Sequence, residues 1–113
     1  MKPRRNRAQL ERAAARARSR REKALASFNL AVFHDNNARE PKAIPHYQRA
    51  LRLGLPSTVR ADALAWLASS LYKSGRPRRA LSTIGRARRI ARDAELLKFL
   101  YGLERRVRRS LAR

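Results

Sequence analysis

Residues 29–53 can be laid over residues 66–90 without a gap. Leu30-Ala31 then falls on Leu67-Ala68, Ala43 on Ala80, Tyr47 on Ile84 and Ala50 on Ala87, an offset of 37 residues. Self-similarity at such a period means one supersecondary unit used in succession, each copy with an apolar face that it cannot bury alone. Apolar residues in both copies recur every three or four positions, as one face of a helix requires. The stripes run Leu25, Phe28, Leu30, Val32, Phe33, then Ala43, Ile44, Tyr47, Ala50, Leu51. They resume at Ala63, Leu64, Leu67, Ala68, Leu71 and at Ala80, Leu81, Ile84, Ala87, Ala91, and close with Leu96, Leu100, Leu103, Val107, Leu111. No segment alternates with period two, so the expected fold is all-α.

Breaks between the stripes carry helix-end chemistry. Asp35-Asn36-Asn37 interrupts the first stripe, and Pro41 and Pro77 suit a first helical turn, where a missing N–H costs nothing. Gly54 and Gly75 are left-handed stops. Pro56-Ser57-Thr58 opens a helix with Asp62 expected against its N-terminal dipole, and Asp93 is expected to cap the last helix. Pro45 lies one turn inside its helix, where a slight bend is expected.

Composition narrows the chemistry. The 113 residues contain no cysteine, which excludes disulfides, thiolate metal sites and cysteine nucleophiles. No apolar run approaches the ~20 residues of a membrane span. The arginine-rich N-terminus lacks the apolar stretch of a secretory signal, so a cytoplasmic location is expected. Apolar residues make up 43% of the chain, but 20 of them are alanine, so the core must be thin and built from closely packed helices. Net charge is +21, with +8 on residues 1–23, +3 on 24–75 and +10 on 76–113. Repulsion on this scale opposes a compact monomer, and an acidic partner relieves it. Residues 1–21 read as a basic Ala/Arg-rich arm, frayed or disordered when free and able to run on as a helix into the stripe that begins at Leu25.

The paired stripes resemble the tetratricopeptide repeat, a helix–turn–helix of 34 residues with small side chains where the paired helices touch. Ala31 and Ala68 stand at the small site of the first helices, Ala43 and Ala80 at the facing site of the second, and the extra residues of the longer period fit the Gly54-Leu55-Pro56 connection. Ser27 and Leu64 replace the family's early aromatic, with Trp66 nearby, and Leu55 and Arg92 replace its closing proline. The resemblance implies two helical hairpins over residues 22–92 and a basic capping helix over 93–113. Two repeats are fewer than the three usually required for a continuous core, so the N-terminal helix, self-association or a partner is expected to complete it.

Family members bind extended peptides on the face made by the first helix of each repeat. By position this face comprises Leu25, Phe28, Asn29, Val32 and Asn36, then Asp62, Trp66, Ser69, Tyr72 and Lys73. Asn29 falls where chaperone-binding members keep a peptide-gripping asparagine, but Leu25 stands in place of the clamp lysine, so a carboxylate clamp is not expected. Trp66 suits either packing or an exposed anchor. A second candidate surface is basic. Lys98, Tyr101, Arg105, Arg106, Arg108 and Arg109 lie opposite the apolar stripe of the last helix, and Arg78, Arg79, Arg86, Arg88 and Arg89 crowd the helix before it. Such faces are either solvated surface or a grip for phosphates with one aromatic to stack on a base.

His34 and His46 lack a third ligand at metal-binding spacing, and no serine has a base beside it. No catalytic site, metal or cofactor is expected. The chain reads as a non-catalytic adaptor that binds a peptide of an acidic protein partner. The alternative is a nucleic-acid-binding accessory protein that uses the repeats as a scaffold.

Overall fold

The computed structural model describes residues 6–113, and among these there are six helices and no strand. They divide into two compact units, residues 6–55 and residues 56–113. The first unit holds α1 (Arg7–Arg16), α2 (Arg20–Asn36) and α3 (Glu40–Leu53); the second holds α4 (Ser57–Lys73), α5 (Pro77–Ile90) and α6 (Ala94–Leu111).

Side chains cap the starts of α1, α2 and α6. Asn6 accepts from the Gln9 backbone N–H at 2.8 Å, and the Gln9 side chain accepts from Asn6 in return at 2.9 Å. Ser19 and Glu22 repeat this reciprocal pair at the start of α2, both bonds being 3.0 Å. Asp93 accepts from Leu96 N–H at 2.9 Å and opens α6, as its sequence position predicts. Pro41 and Pro77 lie in the first turns of α3 and α5. Pro45 is retained inside α3 on an exposed side. Gly54 ends α3 in the left-handed region with φ of +100°.

The two hairpin turns are built alike. Arg39 N–H reaches back to the His34 carbonyl at 2.8 Å, and Arg76 N–H, 37 residues on, reaches back to Leu71 at 2.8 Å. The left-handed residue in each turn is Ala38 (φ +57°) in the first and Gly75 (φ +79°) in the second. An alanine in that region costs roughly 1 kcal/mol that glycine does not. The first turn therefore holds by its hydrogen bonds and the packing beyond it.

Within the first unit α2 packs on α3, and α1 packs on α2. Ala24, Ala31, Ala43, Tyr47 and Ala50 are wholly shielded from solvent. Within the second unit α4 packs on α5, and α6 lies against both. Ala63, Ala65, Ala68, Ala80, Ala87, Leu100 and Val107 are fully buried there. Methyl-sized side chains along these seams let helix axes approach toward the lower end of the ~8–10 Å range. This is what an alanine-rich core requires, because little apolar area is gained per residue.

Two local features differ from the sequence expectation. Residues 7–16 of the basic arm form α1, with Leu10 only 6% exposed. The arm does not run on into α2: Ala17 is extended and Ser19 caps a new helix, because its hydroxyl satisfies a backbone donor that continuation would have used differently. Asp62 is the sixth residue of α4, beyond the first turn, and that turn holds no acidic residue. Asp62 consequently feels burial and the nearby Asp93 more than the dipole, and its carboxyl is raised above the usual carboxylate range.

Candidate functional site

The 37-residue offset extends backwards from α3. It carries Leu10 onto Tyr47 and Ile84, and Ala13 onto Ala50 and Ala87. Thus α1 has the register of the back half of a second helix, and Leu10 is the buried residue at the position that Tyr47 and Ile84 also bury. With α1 in that place, one side of α2 becomes the wall of a groove.

This groove is a cavity of about 490 Å³ lined by Asn6, Leu10, Asn29, Val32, Phe33, Asn36 and Asn37. On α2 the lining residues Asn29, Val32, Phe33 and Asn36 are spaced i, i+3, i+4, i+7, which places them on one helical face. The floor is apolar, from Leu10, Val32 and Phe33. The rim is carboxamide: Asn29 and Asn36 are exposed, and Asn37 donates to the Phe33 carbonyl at 2.7 Å. Each exposed carboxamide can donate and accept at once, as a peptide backbone does. Arg39 holds its guanidinium 5.6 Å from the Phe33 ring centre, which adds positive charge beside the groove.

Of the peptide-face residues expected in the first unit, Asn29, Val32 and Asn36 come together here. Leu25 and Phe28 do not line the groove. Both are half-buried, and the Phe28 ring packs against Tyr47 with ring centres 6.2 Å apart. Asn6, Leu10, Phe33 and Asn37 are lining residues that the repeat pattern did not assign to the peptide face. The reverse extension of the repeat offset was the available signal for Leu10. In the second unit, Trp66, Ser69 and Tyr72 are half-buried on α4 and Lys73 is exposed. Asp62 lines a different cavity, of about 660 Å³, among Arg60, Arg89, Ile90, Asp93 and Leu96.

The basic candidates Arg78, Arg79, Arg86, Arg89, Lys98, Arg105, Arg106, Arg108 and Arg109 are all exposed, as is Tyr101. Glu104 neutralises part of this surface: it accepts from Arg88 at 2.8 Å and from Arg108 at 3.1 Å. The Arg105 guanidinium lies 5.9 Å from the Tyr101 ring centre.

The histidines form a local pair. His34 is 4% exposed and stacks on His46 with ring centres 5.5 Å apart and planes within 10°. His34 Nδ1 is buried with no hydrogen-bond partner among the described residues. Asp35, next in sequence, instead accepts from the Tyr47 hydroxyl at 2.9 Å. Burial first, then His46, Arg39, Arg7 and Lys42, hold His34 below the ordinary imidazole value; burial and then Arg49 do the same for His46.

A histidine depressed in the folded state is neutral there but takes up a proton once unfolded, so the sign is fixed. This contribution to stability is complete above the unfolded value of about 6.5 and is lost as pH falls below it. The melting temperature is expected to drop between pH 7.5 and pH 5. His34→Leu, which installs the residue found at the equivalent Leu71, is expected to flatten that drop. Thermal melts of both proteins across this range check it, and equal slopes would refute it.

Successive helix–turn–helix hairpins, with buried alanines at matching places and a shared closing hydrogen bond in each turn, define a helical-repeat protein. The sequence model of the tetratrico peptide repeat family matches residues 24–104, and the chain belongs to that family. The matched span begins one turn into α2, takes in α3, α4 and α5, and ends within α6. No curated protein matches the sequence. The family is one of protein–protein interaction modules and, in general, of non-catalytic scaffolds. Among the described residues, no helix is long and apolar enough to cross a membrane.

Proposed function

We propose that this protein is a non-catalytic adaptor whose first unit holds an extended peptide segment of an acidic protein partner in the groove between α1 and α2. One observation carries this reading: Asn29, Val32 and Asn36, assigned to the peptide face by the repeat pattern, line the same cavity with Leu10 and Phe33. An apolar floor takes a side chain while the carboxamide rim pairs with the backbone on either side of it. The net charge of +21 draws acidic segments in and disfavours basic ones.

The test is selection of random extended peptides displayed on phage, panned at about 0.15 M salt so that exposed charges are screened beyond ~8 Å. A consensus with one apolar residue flanked by acids is the expected result. A selected peptide should lose about tenfold or more in affinity on the Asn29→Ala/Asn36→Ala double variant, whose altered side chains are exposed and leave the fold intact. A panel without consensus, or unchanged affinity for the double variant, overturns the groove as the binding site.

The competing reading, nucleic acid as principal ligand, draws on the exposed arginines of α5 and α6. It requires log affinity for RNA to fall steeply with log salt and Arg105→Ala/Arg109→Ala to lessen that slope.

A further inference from the structure

We propose that one flank of α6, carrying Leu97, Tyr101, Arg105 and Arg108, docks an acidic amphipathic helix of a protein partner. Among the described residues, the large hydrophobic side chains left exposed are Ile90, Leu97, Phe99 and Tyr101, all at the end of α5 or on α6. Tyr101 is the most open of them, at 60%. At 100° per residue Leu97, Tyr101, Arg105 and Arg108 fall within about 80° of one another and form a single stripe, whereas Phe99 falls on the opposite side of α6. The stripe is apolar at its N-terminal end and cationic at its C-terminal end.

Charge selects the occupant. Residues 56–113 hold 15 Lys+Arg against 4 Asp+Glu. On this flank Glu104 is already engaged by Arg88 and Arg108, and Arg105 makes no ion pair among the described residues. A second copy of this chain would bring equally basic surfaces together, which excludes it as the favoured occupant. An acidic segment neutralises Arg105 and shares Arg108.

Side-chain type then favours protein over nucleic acid. The Arg105 guanidinium lies over one face of the Tyr101 ring and leaves its edge and other face to a partner. Leu97 gains nothing from a phosphodiester backbone. Against a helix, Leu97 and the Tyr101 edge pack between apolar residues spaced i and i+4, while carboxylates one turn further on meet Arg105 and Arg108. From Leu97 to Arg108 the stripe offers a track of roughly 17 Å on α6, long enough for about three turns of a partner.

The experiment is fluorescence anisotropy on the full chain at about 0.15 M salt. The probes are a labelled helical peptide of about 16 residues with leucines at i, i+4 spacing among glutamates, the same residues in an order that scatters the leucines, and a single-stranded RNA of equal charge. The ordered peptide is expected to bind about tenfold more tightly than the scattered one, a difference of roughly 1.4 kcal/mol. Leu97→Ala/Tyr101→Ala should erase that margin, and Tyr101→Ala alone, at the more open of the two positions, should lessen it while the protein still melts cooperatively. Asn29→Ala/Asn36→Ala should leave it untouched, which separates this surface from the groove on α2. Equal binding of the two peptides, a margin that survives the Leu97→Ala/Tyr101→Ala variant, or RNA binding more tightly in a Tyr101-dependent way would each overturn the proposal.

Discussion

Tyr47→Ala is expected to cost about 3–5 kcal/mol, the range for deleting a fully buried aromatic ring. Tyr47 is completely shielded, its ring meets Phe28, and its hydroxyl donates to Asp35 at 2.9 Å. Burial first, and then the Asp35 carboxylate, hold the phenol far above its ordinary value, so it remains a donor at every physiological pH. Tyr47→Phe keeps the ring and loses only that bond, so it should cost about 1 kcal/mol. The gap between the two variants in chemical denaturation measures the ring's packing alone. Against a total stability of about 5–15 kcal/mol, the alanine variant consumes a large share. A loss below about 1 kcal/mol for Tyr47→Ala would mean that the ring does not fill the seam between α2 and α3.

Ala80→Leu is expected to destabilise the second unit by about 1–3 kcal/mol through overpacking, which lowers the melting temperature by roughly 5–15 °C. Ala80 is fully buried on α5 where that helix packs against α4. Leucine forms helix almost as readily as alanine, so any large loss comes from forcing the helices apart and not from propensity. Arg79→Leu, one position away on the exposed side of α5, supplies the control and should change stability by less than about 0.5 kcal/mol. If both variants melted alike, close helix approach at Ala80 would not be what holds the hairpin. The same substitution at Ala43 tests the first unit.

The hairpins were legible because a repeat is read twice. A lone alanine among apolar residues says little, but Ala31, Ala43 and Ala50 reappearing as Ala68, Ala80 and Ala87 mark the positions where size is restricted. The helix ends were legible where a single residue does the work, as at Asp93 and Gly54. They were misread where the effect depends on distance along the helix, as at Asp62. The groove was half legible. Repeat position brought Asn29, Val32 and Asn36 forward, but not Leu10 or Asn6, since nothing local to α1 says which helix it will lie against.

His34 shows the same division. Its sequence context offered no third metal ligand, whereas the stack on His46 and the unpartnered Nδ1 required knowing where the α2–α3 turn brings two residues twelve apart. Tyr101 was assigned to the basic side of the last helix from its helical phase, yet the guanidinium lying over its ring depends on the rotamer Arg105 adopts.

From the chain of residues alone came the all-α class, the doubled hairpin, the alanine seams and the excess of positive charge, because each is a matter of spacing or counting along the backbone. Tertiary structure decided which faces stay open: α1 turning one side of α2 into a walled groove, and α6 leaving Leu97 and Tyr101 uncovered. Burial is a relation between segments distant in sequence, and helical periodicity specifies the face of a helix but not its neighbour.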